Sequence, residues 1–294
     1  MLPSSQDLLY FLEVCQTHNL SRASERLGIS QPSLSTAIKR LEHNIGTPLF
    51  IRTKNGVQLT KSGQQFSTQA KQLLHLWDTL KSESLASLDA VQGQFTLGCH
   101  PSVAQYALPS LLAQLLNQHP KLEIQLKHDL SRKIVEGIIN FNIDIGIVVN
   151  PIKHRDLVLQ KLYDDKVSFW TQKNNPQSFD NPSLTIICDP DLSQTQALLQ
   201  NLASIGIKQP RLLLSSNLDV IASLTANGAG IGILPRCAAL ANHADKLITV
   251  ADAPIFDDEI YLAYRSEQRQ VKALQVLIQT IKQQFKDLAL YTKT

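Results

Sequence analysis

The sequence lacks most of the features that announce an enzyme or a membrane protein. Its four cysteines, Cys15, Cys99, Cys188 and Cys237, are scattered with no C-x-x-C spacing, so neither a zinc site nor a disulfide framework is indicated. They read as small buried hydrophobes, with a redox-sensing thiol as the alternative. No apolar run approaches the roughly 20 residues that cross a bilayer, and the start lacks a cationic segment followed by an apolar one. A cytoplasmic protein with no membrane partner is therefore expected. P-loop, G-x-S-x-G and H-E-x-x-H patterns are missing, and the eight histidines are dispersed, so no catalytic residue, metal ligand or cofactor is assigned.

Net charge is also small, at +3, but its distribution is uneven. Through residue 65, seven cations (Arg22, Arg26, Lys39, Arg40, Arg52, Lys54, Lys61) oppose four carboxylates (Asp7, Glu13, Glu25, Glu42), an excess equal to that of the whole chain. A basic first unit followed by a balanced remainder fits a protein of which only the first part meets a polyanion.

What is present in that first unit centres on Ser30 to Asn44. Ser30 is an N-cap, Pro32 occupies a first turn that needs no backbone donor, and Leu34, Ala37, Ile38, Leu41 and Ile45 form one apolar stripe. The opposite face carries Pro32, Ser33, Thr36, Lys39, Arg40 and His43, with Gln31 and Ser35 on its flank. A lone amphipathic helix also turns cations to water, so the neighbours decide. Before it, Ser4 with Asp7 starts a helix through Leu8, Phe11, Leu12 and Cys15 that ends near His18. A short second helix, capped by Ser21, stops at Gly28. Two helices around a tight turn make a helix-turn-helix, whose second helix enters the major groove: Gln, Ser and Thr reach base edges while Lys and Arg meet phosphates. Asn55-Gly56 between short extended runs predicts a hairpin wing, with Arg52 and Lys54 at its tip.

From Thr60 to about Asp89, Phe66, Ala70, Leu73, Trp77 and Leu80 recur by four and three, the seam of a helix that pairs with a second copy. Beyond Gly93, helix and strand patterns alternate: strands at Phe95 to Cys99, Leu122 to Leu126 and Ile143 to Val149, helices at Tyr106 to Asn117 and Ser131 to Ile139. A second set follows to Leu234, then a strand at Glu259 to Tyr264 and a closing helix at Val271 to Phe285. This predicts an α/β unit with a mostly parallel sheet, in two halves with a ligand cleft between them.

Taken together, Asp7-Leu8-Leu9-Tyr10-Phe11, Arg22-Ala23-Ser24-Glu25-Arg26-Leu27, Ser30-Gln31-Pro32-Ser33-Leu34-Ser35, Arg40-Leu41-Glu42, Pro48-Leu49-Phe50-Ile51-Arg52 and Leu59-Thr60-Lys61-Ser62-Gly63 resemble a LysR-type transcriptional regulator. Asn142 to Ile147 and Ala226 to Pro235 resemble the family's effector-domain segments, so the likeness covers essentially the whole chain. It implies a winged helix-turn-helix over 1–59, a linker and dimerisation helix over 60–90, and a two-lobed, periplasmic-binding-protein-like effector-binding domain over 91–294, with lobe I about 91–163 and 266–294 and lobe II about 164–265. It implies further a homotetramer of dimers on double-stranded promoter DNA, acting as activator or repressor through RNA polymerase.

Carried onto matching positions, the resemblance puts Gln31, Pro32, Ser33, Ser35 and Thr36 near bases, and Lys39, Arg40, Arg52 and Lys54 near the backbone. Thr36 departs from the Arg of many relatives and cannot make a bidentate guanine contact. His100, Pro101, Ser102, Ser131, Ser216 and Asn217 match ligand-facing positions, where helix N-termini favour a small anionic effector. The same Ser and Asn serve equally as ordinary caps. Phe141 stands where relatives often keep Gly. A redox-responsive regulator of the same architecture, and a cytosolic binding protein without DNA function, are the alternatives.

Overall fold

The computed structural model describes residues 4–53, 56–85, 91–181, 183–204 and 210–291. The chain divides near residue 90 into two compact units.

The first unit runs α1 (Ser5–Thr17), α2 (Leu20–Leu27), α3 (Gln31–Ile45), β1 (Phe50–Thr53), β2 (Gly56–Leu59) and α4 (Lys61–Leu85). Its helix boundaries follow from capping chemistry. The Ser4 hydroxyl accepts from Asp7 N–H at 3.0 Å and His18 turns left-handed (φ 51°) to end α1. The second helix is capped by Asn19, not Ser21: the Asn19 side-chain Oδ1 accepts from the N–H groups of Ser21 (2.9 Å) and Arg22 (3.1 Å). Ser21 already lies inside the helix, whereas Asn19 keeps the extended conformation an N-cap needs. Gly28 and Gly46 close α2 and α3 at positive φ.

Phe11 is the hub of this unit's core, with the Phe50 ring centroid at 5.1 Å and that of Phe66 at 5.2 Å. Leu34, Ala37, Ile38 and Leu41 bury the α3 stripe, but Ile45 at its end is 37 % exposed, because the chain turns away at Gly46. The wing is the antiparallel pair β1–β2, joined from Thr53 to Gly56, and Val57 N–H donates to the His18 carbonyl at 2.9 Å. A Cβ at Gly56 would collide with that carbonyl, and its φ of 135° suits glycine alone. Asn55 and Lys54 lie outside the described residues.

The second unit contains β3 (Gly93–Cys99), α5 (Pro101–Ala107), α6 (Pro109–Gln118), β4 (Leu122–His128), α7 (Ser131–Ile139), β5 (Ile145–Val149) and the long β6 (Leu157–Gln172). It continues with β7 (Thr185–Cys188), α8 (Ser193–Ser204), β8 (Arg211–Leu214), α9 (Leu218–Ala226), β9 (Ile231–Pro235), α10 (Arg236–His243), β10 (Leu247–Thr249), β11 (Phe256–Arg265) and α11 (Lys272–Tyr291). The helix expected from Tyr106 to Asn117 is two helices, since Pro109 offers no N–H and starts α6 afresh.

The sheet order is β4-β3-β5-β11-β6-β9-β7-β8, with β10 also on β6. It is mixed rather than mostly parallel. β3 pairs in parallel with β4 and β5, and β7 with β8 and β9, but β6 and β11 are antiparallel to their neighbours. The reason is topological: β6 carries the chain from lobe I to lobe II and β11 carries it back. Ile260 to Tyr264 of β11 pair with β5, so the return crossing falls near Glu259, ahead of the 265 boundary expected from sequence. Phe141 adopts φ 56°, keeping with a bulky residue the left-handed turn that glycine would make without strain.

Candidate DNA-reading face and effector cavity

On α3, Gln31, Pro32, Ser33, Thr36, Lys39 and Arg40 are exposed and Ser35 is half-buried. The first turn is held tightly. Ser30 Oγ lies 2.7 Å from Ser33 Oγ and accepts from Ser33 N–H at 3.3 Å, while the Thr36 hydroxyl donates to the Pro32 carbonyl at 2.9 Å. Thr36 thus presents its methyl group and acceptor lone pairs outward. Glu42 ties α3 to the wing, its Oε1 accepting from the N–H groups of Leu49 (2.8 Å) and Phe50 (3.1 Å). Lys39 and the wing's Arg52 are exposed and, among the described residues, pair with no carboxylate. Arg40 differs: its guanidinium bonds the buried Asp7 carboxylate of α1, through Nη2 and through Nε at 3.3 Å.

In the second unit, a cavity of about 420 Å³ opens between the lobes at the crossover strands. His100, Ser102 and Ser131 line it; Pro101, Ser216 and Asn217 do not. Asn217 instead caps α9, its carboxamide oxygen accepting from Asp219 N–H (2.9 Å) and Val220 N–H (3.2 Å), and Leu218 alone represents that helix in the wall. Lobe II also contributes Pro235, Ala238 and the residues entering α8, Asp191 to Gln194, a helix N-terminus that sequence reasoning passed over. The Ser131 hydroxyl accepts from Val149 N–H at 2.9 Å, fixing the end of β5 and leaving its own proton free to donate. His100 Nδ1 accepts from Ser102 N–H at 3.3 Å and lies 2.8 Å from Ser102 Oγ. Burial lowers the His100 pKa, so the ring is neutral near pH 7.

Sequence reasoning also missed the polar floor. Asn150, in the left-handed region at φ 47°, donates from Nδ2 to Asp258 at 2.8 Å and accepts from Glu259 N–H at 2.8 Å. Gln194 Nε2 reaches the other Asp258 oxygen at 3.3 Å. Burial pushes the Asp258 carboxyl up to about 7, and it raises that of Asp165 beside it. The available signal was the alternation: Asp165 shares its strand face with Tyr163 and Val167, and Asp258 shares its own with Phe256 and Ile260, although the intervening positions are charged.

None of the four thiols is poised to ionise. Burial pushes Cys99 up to about 12, Cys15 and Cys188 to about 11, and Cys237 higher still. Thiolate is the reactive form, so the environment of Cys99 does not favour a redox sensor. Among the described residues no group of three or more His, Cys, Asp or Glu side chains is placed to hold a metal, and no helix is long and apolar enough to cross a membrane.

Two family models match. One, for the bacterial regulatory helix-turn-helix protein of the lysR family, covers residues 5–64, and the other, for the LysR substrate binding domain, covers 89–286. The HTH-type transcriptional regulator YusT of Bacillus subtilis is 25% identical over 253 residues, 85% of each chain. Among solved structures, full-length CbnR complexed with its target DNA superposes with a TM-score of 0.64 at 20% identity, covering 96% of this chain and 99% of that one. LysG from Corynebacterium glutamicum with bound effector Arg gives 0.64 at 15% identity, covering 97% and 98%. A winged helix-turn-helix matched by the first model, followed by a two-lobed α/β domain matched by the second, makes the chain a member of the LysR family of DNA-binding transcriptional regulators.

Proposed function

We propose that a small molecule held in the cavity between the lobes governs how this regulator sits on promoter DNA. The observation that carries this reading is the cavity lining: residues of both lobes and of both crossover strands share one space, so a ligand there contacts lobe I and lobe II together. A ligand shifts a conformational equilibrium by its difference in affinity for the two states, and bridging contacts made only when the lobes close supply that difference. The effector's acceptor end, a carboxylate or carbonyl, meets the donors of His100 and Ser131 and the first turns of α7 and α8, with Ser102 holding the His100 ring in place. Relatives of similar fold support both halves of the scheme, CbnR by its target DNA and LysG by its bound Arg.

On DNA, Gln31, Ser33, Ser35 and Thr36 read base edges beside Pro32, and Lys39 and Arg52 meet phosphates. Leu73, Leu76, Trp77 and Leu80 lie about half exposed on α4, an apolar stripe suited to a second copy of the chain, and dimers assemble into tetramers.

The test is operator binding by the full-length protein, followed by fluorescence anisotropy across a library of small metabolites. A ligand that changes operator affinity or DNA bending, and loses its effect in Ser102→Ala or Ser131→Ala, supports the scheme. A ligand whose effect survives both substitutions removes the cavity from it.

A further inference from the structure

Asp165 of β6 and Asp258 of β11 stand directly opposite each other in antiparallel register, where the chain crosses between lobes. Both are only 3 % exposed and both line the cavity. Like charges facing each other destabilise a strand pair, and two carboxylates withdrawn from water cost more again.

Their partners do not offset that charge. Asp165 accepts from the main-chain N–H groups of Lys166 (2.8 Å) and Cys237 (3.2 Å), and Asp258 from the carboxamides of Asn150 and Gln194. These donors, and the Cys237 thiol that also bonds Asp165, are all neutral. Among the described residues neither carboxylate has an ion-pair partner, and Arg236 acts on Asp165 only from longer range. Burial raises both carboxyls, and the charge of Asp165 adds to it at Asp258, which is pushed up to about 7 and so still holds part of a proton at neutral pH.

A second group on the same wall points to a ligand independently. His100 is nine-tenths buried, and its Nδ1 is occupied by Ser102. With Nδ1 accepting and the ring neutral, the proton sits on Nε2, which has no partner among the described residues. A donor that opens on the cavity with no protein acceptor is available to a ligand, and a buried carboxylate pair without a cation is costly.

We propose that the effector carries a cationic nitrogen, an ammonium or guanidinium group, seated against Asp165 and Asp258, and a hydrogen-bond acceptor that meets His100 Nε2. This rests on the ligand-gated reading above and names its ligand class. A bare metal ion is a poor occupant, because no third carboxylate, His or Cys joins the pair into a ligand set among the described residues. An organic cation needs only the two oxygens and fills the rest of the 420 Å³ with its carbon skeleton. On binding, the cation takes the place of the proton held by the pair, which is released to solvent.

The experiment is a thermal-shift and calorimetric comparison on the full-length protein at pH 7. Lysine, arginine, agmatine and γ-aminobutyrate are set beside hexanoate, glutarate and butyrate, which carry acceptors but no nitrogen. The proposal expects at least one nitrogen compound to raise Tm, and Asp258→Asn to weaken its binding tenfold or more while leaving the ligand-free Tm no lower than that of the parent. It also expects binding heats that differ between phosphate and Tris buffers, the signature of proton release. If only nitrogen-free carboxylates bind, and lose affinity in Ser131→Ala, the cation is wrong and the effector reading stands. If nitrogen compounds bind equally well to Asp258→Asn, the carboxylate pair is wrong. Silence of both sets counts against the cation and the gated cavity together.

Discussion

The guanidinium of Arg40, on the outward face of the recognition helix, closes on the carboxylate of Asp7 in the first turn of α1. Asp7 is 3 % exposed, and Ser4 holds its N–H, so Arg40 is the cation that neutralises a buried charge at the joint of two helices. Its sequence position marks it as a phosphate contact, but its charge is committed within the fold. Replacing Arg40 by Ala is therefore expected to lower Tm while leaving the slope of log affinity against log salt close to that of the parent. Lys39→Ala and Arg52→Ala are each expected to reduce that slope by about 1 with little change in Tm. Salt titrations of operator binding, paired with thermal melts, separate the two roles. A loss of slope for Arg40→Ala at unchanged Tm would return it to the DNA backbone.

Asp258 gives the effector domain a pH dependence whose sign can be worked out. Its folded-state carboxyl lies near 7, raised from 3.8 by burial, with Asp165 and Asp257 adding repulsion and Asn150 and Gln194 opposing it. Between about pH 4 and 7 the native state binds a proton that the unfolded chain does not, so stability falls as pH rises through that window. Each tenfold difference in proton affinity is worth about 1.4 kcal/mol, so the loss across the whole window is on the order of 4 kcal/mol. Asp258→Asn mimics the protonated form and flattens the dependence. Denaturant unfolding of both proteins from pH 4.5 to 8 checks this, and parallel curves would refute it.

The first unit was legible in sequence because its rules are local. A cap, a stripe at helical spacing and an Asn-Gly turn act within a few residues, and Gly28, Ser30 and the wing stand where those signals put them. Local rules also explain the misses. Ser21 and Asn19 are both good caps, and only backbone conformation selects Asn19. Arg40 looked like any exposed cation because Asp7, its partner, lies 33 residues away in sequence. In the effector domain the alternation of strand and helix gave the class of fold. Sheet order, however, depends on β6 and β11 crossing between lobes, which no local pattern encodes. For the same reason the cavity floor was hidden: Asp165 and Asp258 become neighbours only through that crossing.

Cys99 lies beside the cavity turn and hydrogen-bonds weakly toward His128, with Sγ 3.9 Å from Nδ1. It is fully buried, and its pKa of about 12 leaves almost no thiolate at neutral pH. The folded protein is expected to leave Cys99 unmodified by iodoacetamide at pH 7.5 while the unfolded chain reacts, as peptide mass spectrometry would read. Cys99→Ser should retain any response to the effector. Rapid modification of native Cys99, or a response to peroxide that Cys99→Ser abolishes, would establish a redox input.

The linker helix poses the last question, because its two halves have different fates. Phe66 and Ala70 pack into the core of the first unit, against Phe11 and its neighbours. One turn further, Leu73, Leu76, Trp77 and Leu80 are 51, 55, 58 and 48 % exposed in a single chain. Four large apolar side chains on one stripe leave an area that water covers poorly, and a second α4 with the same spacing covers it best. Leu73→Glu combined with Trp77→Glu puts like charges on both sides of that seam without touching Phe66 or Ala70, so each chain should still fold. Sedimentation equilibrium is expected to show a shift toward monomer. Operator affinity should fall tenfold or more, since two recognition helices then bind as separate molecules rather than as one. A double variant that sediments like the parent would mean that this stripe is covered by something other than its copy.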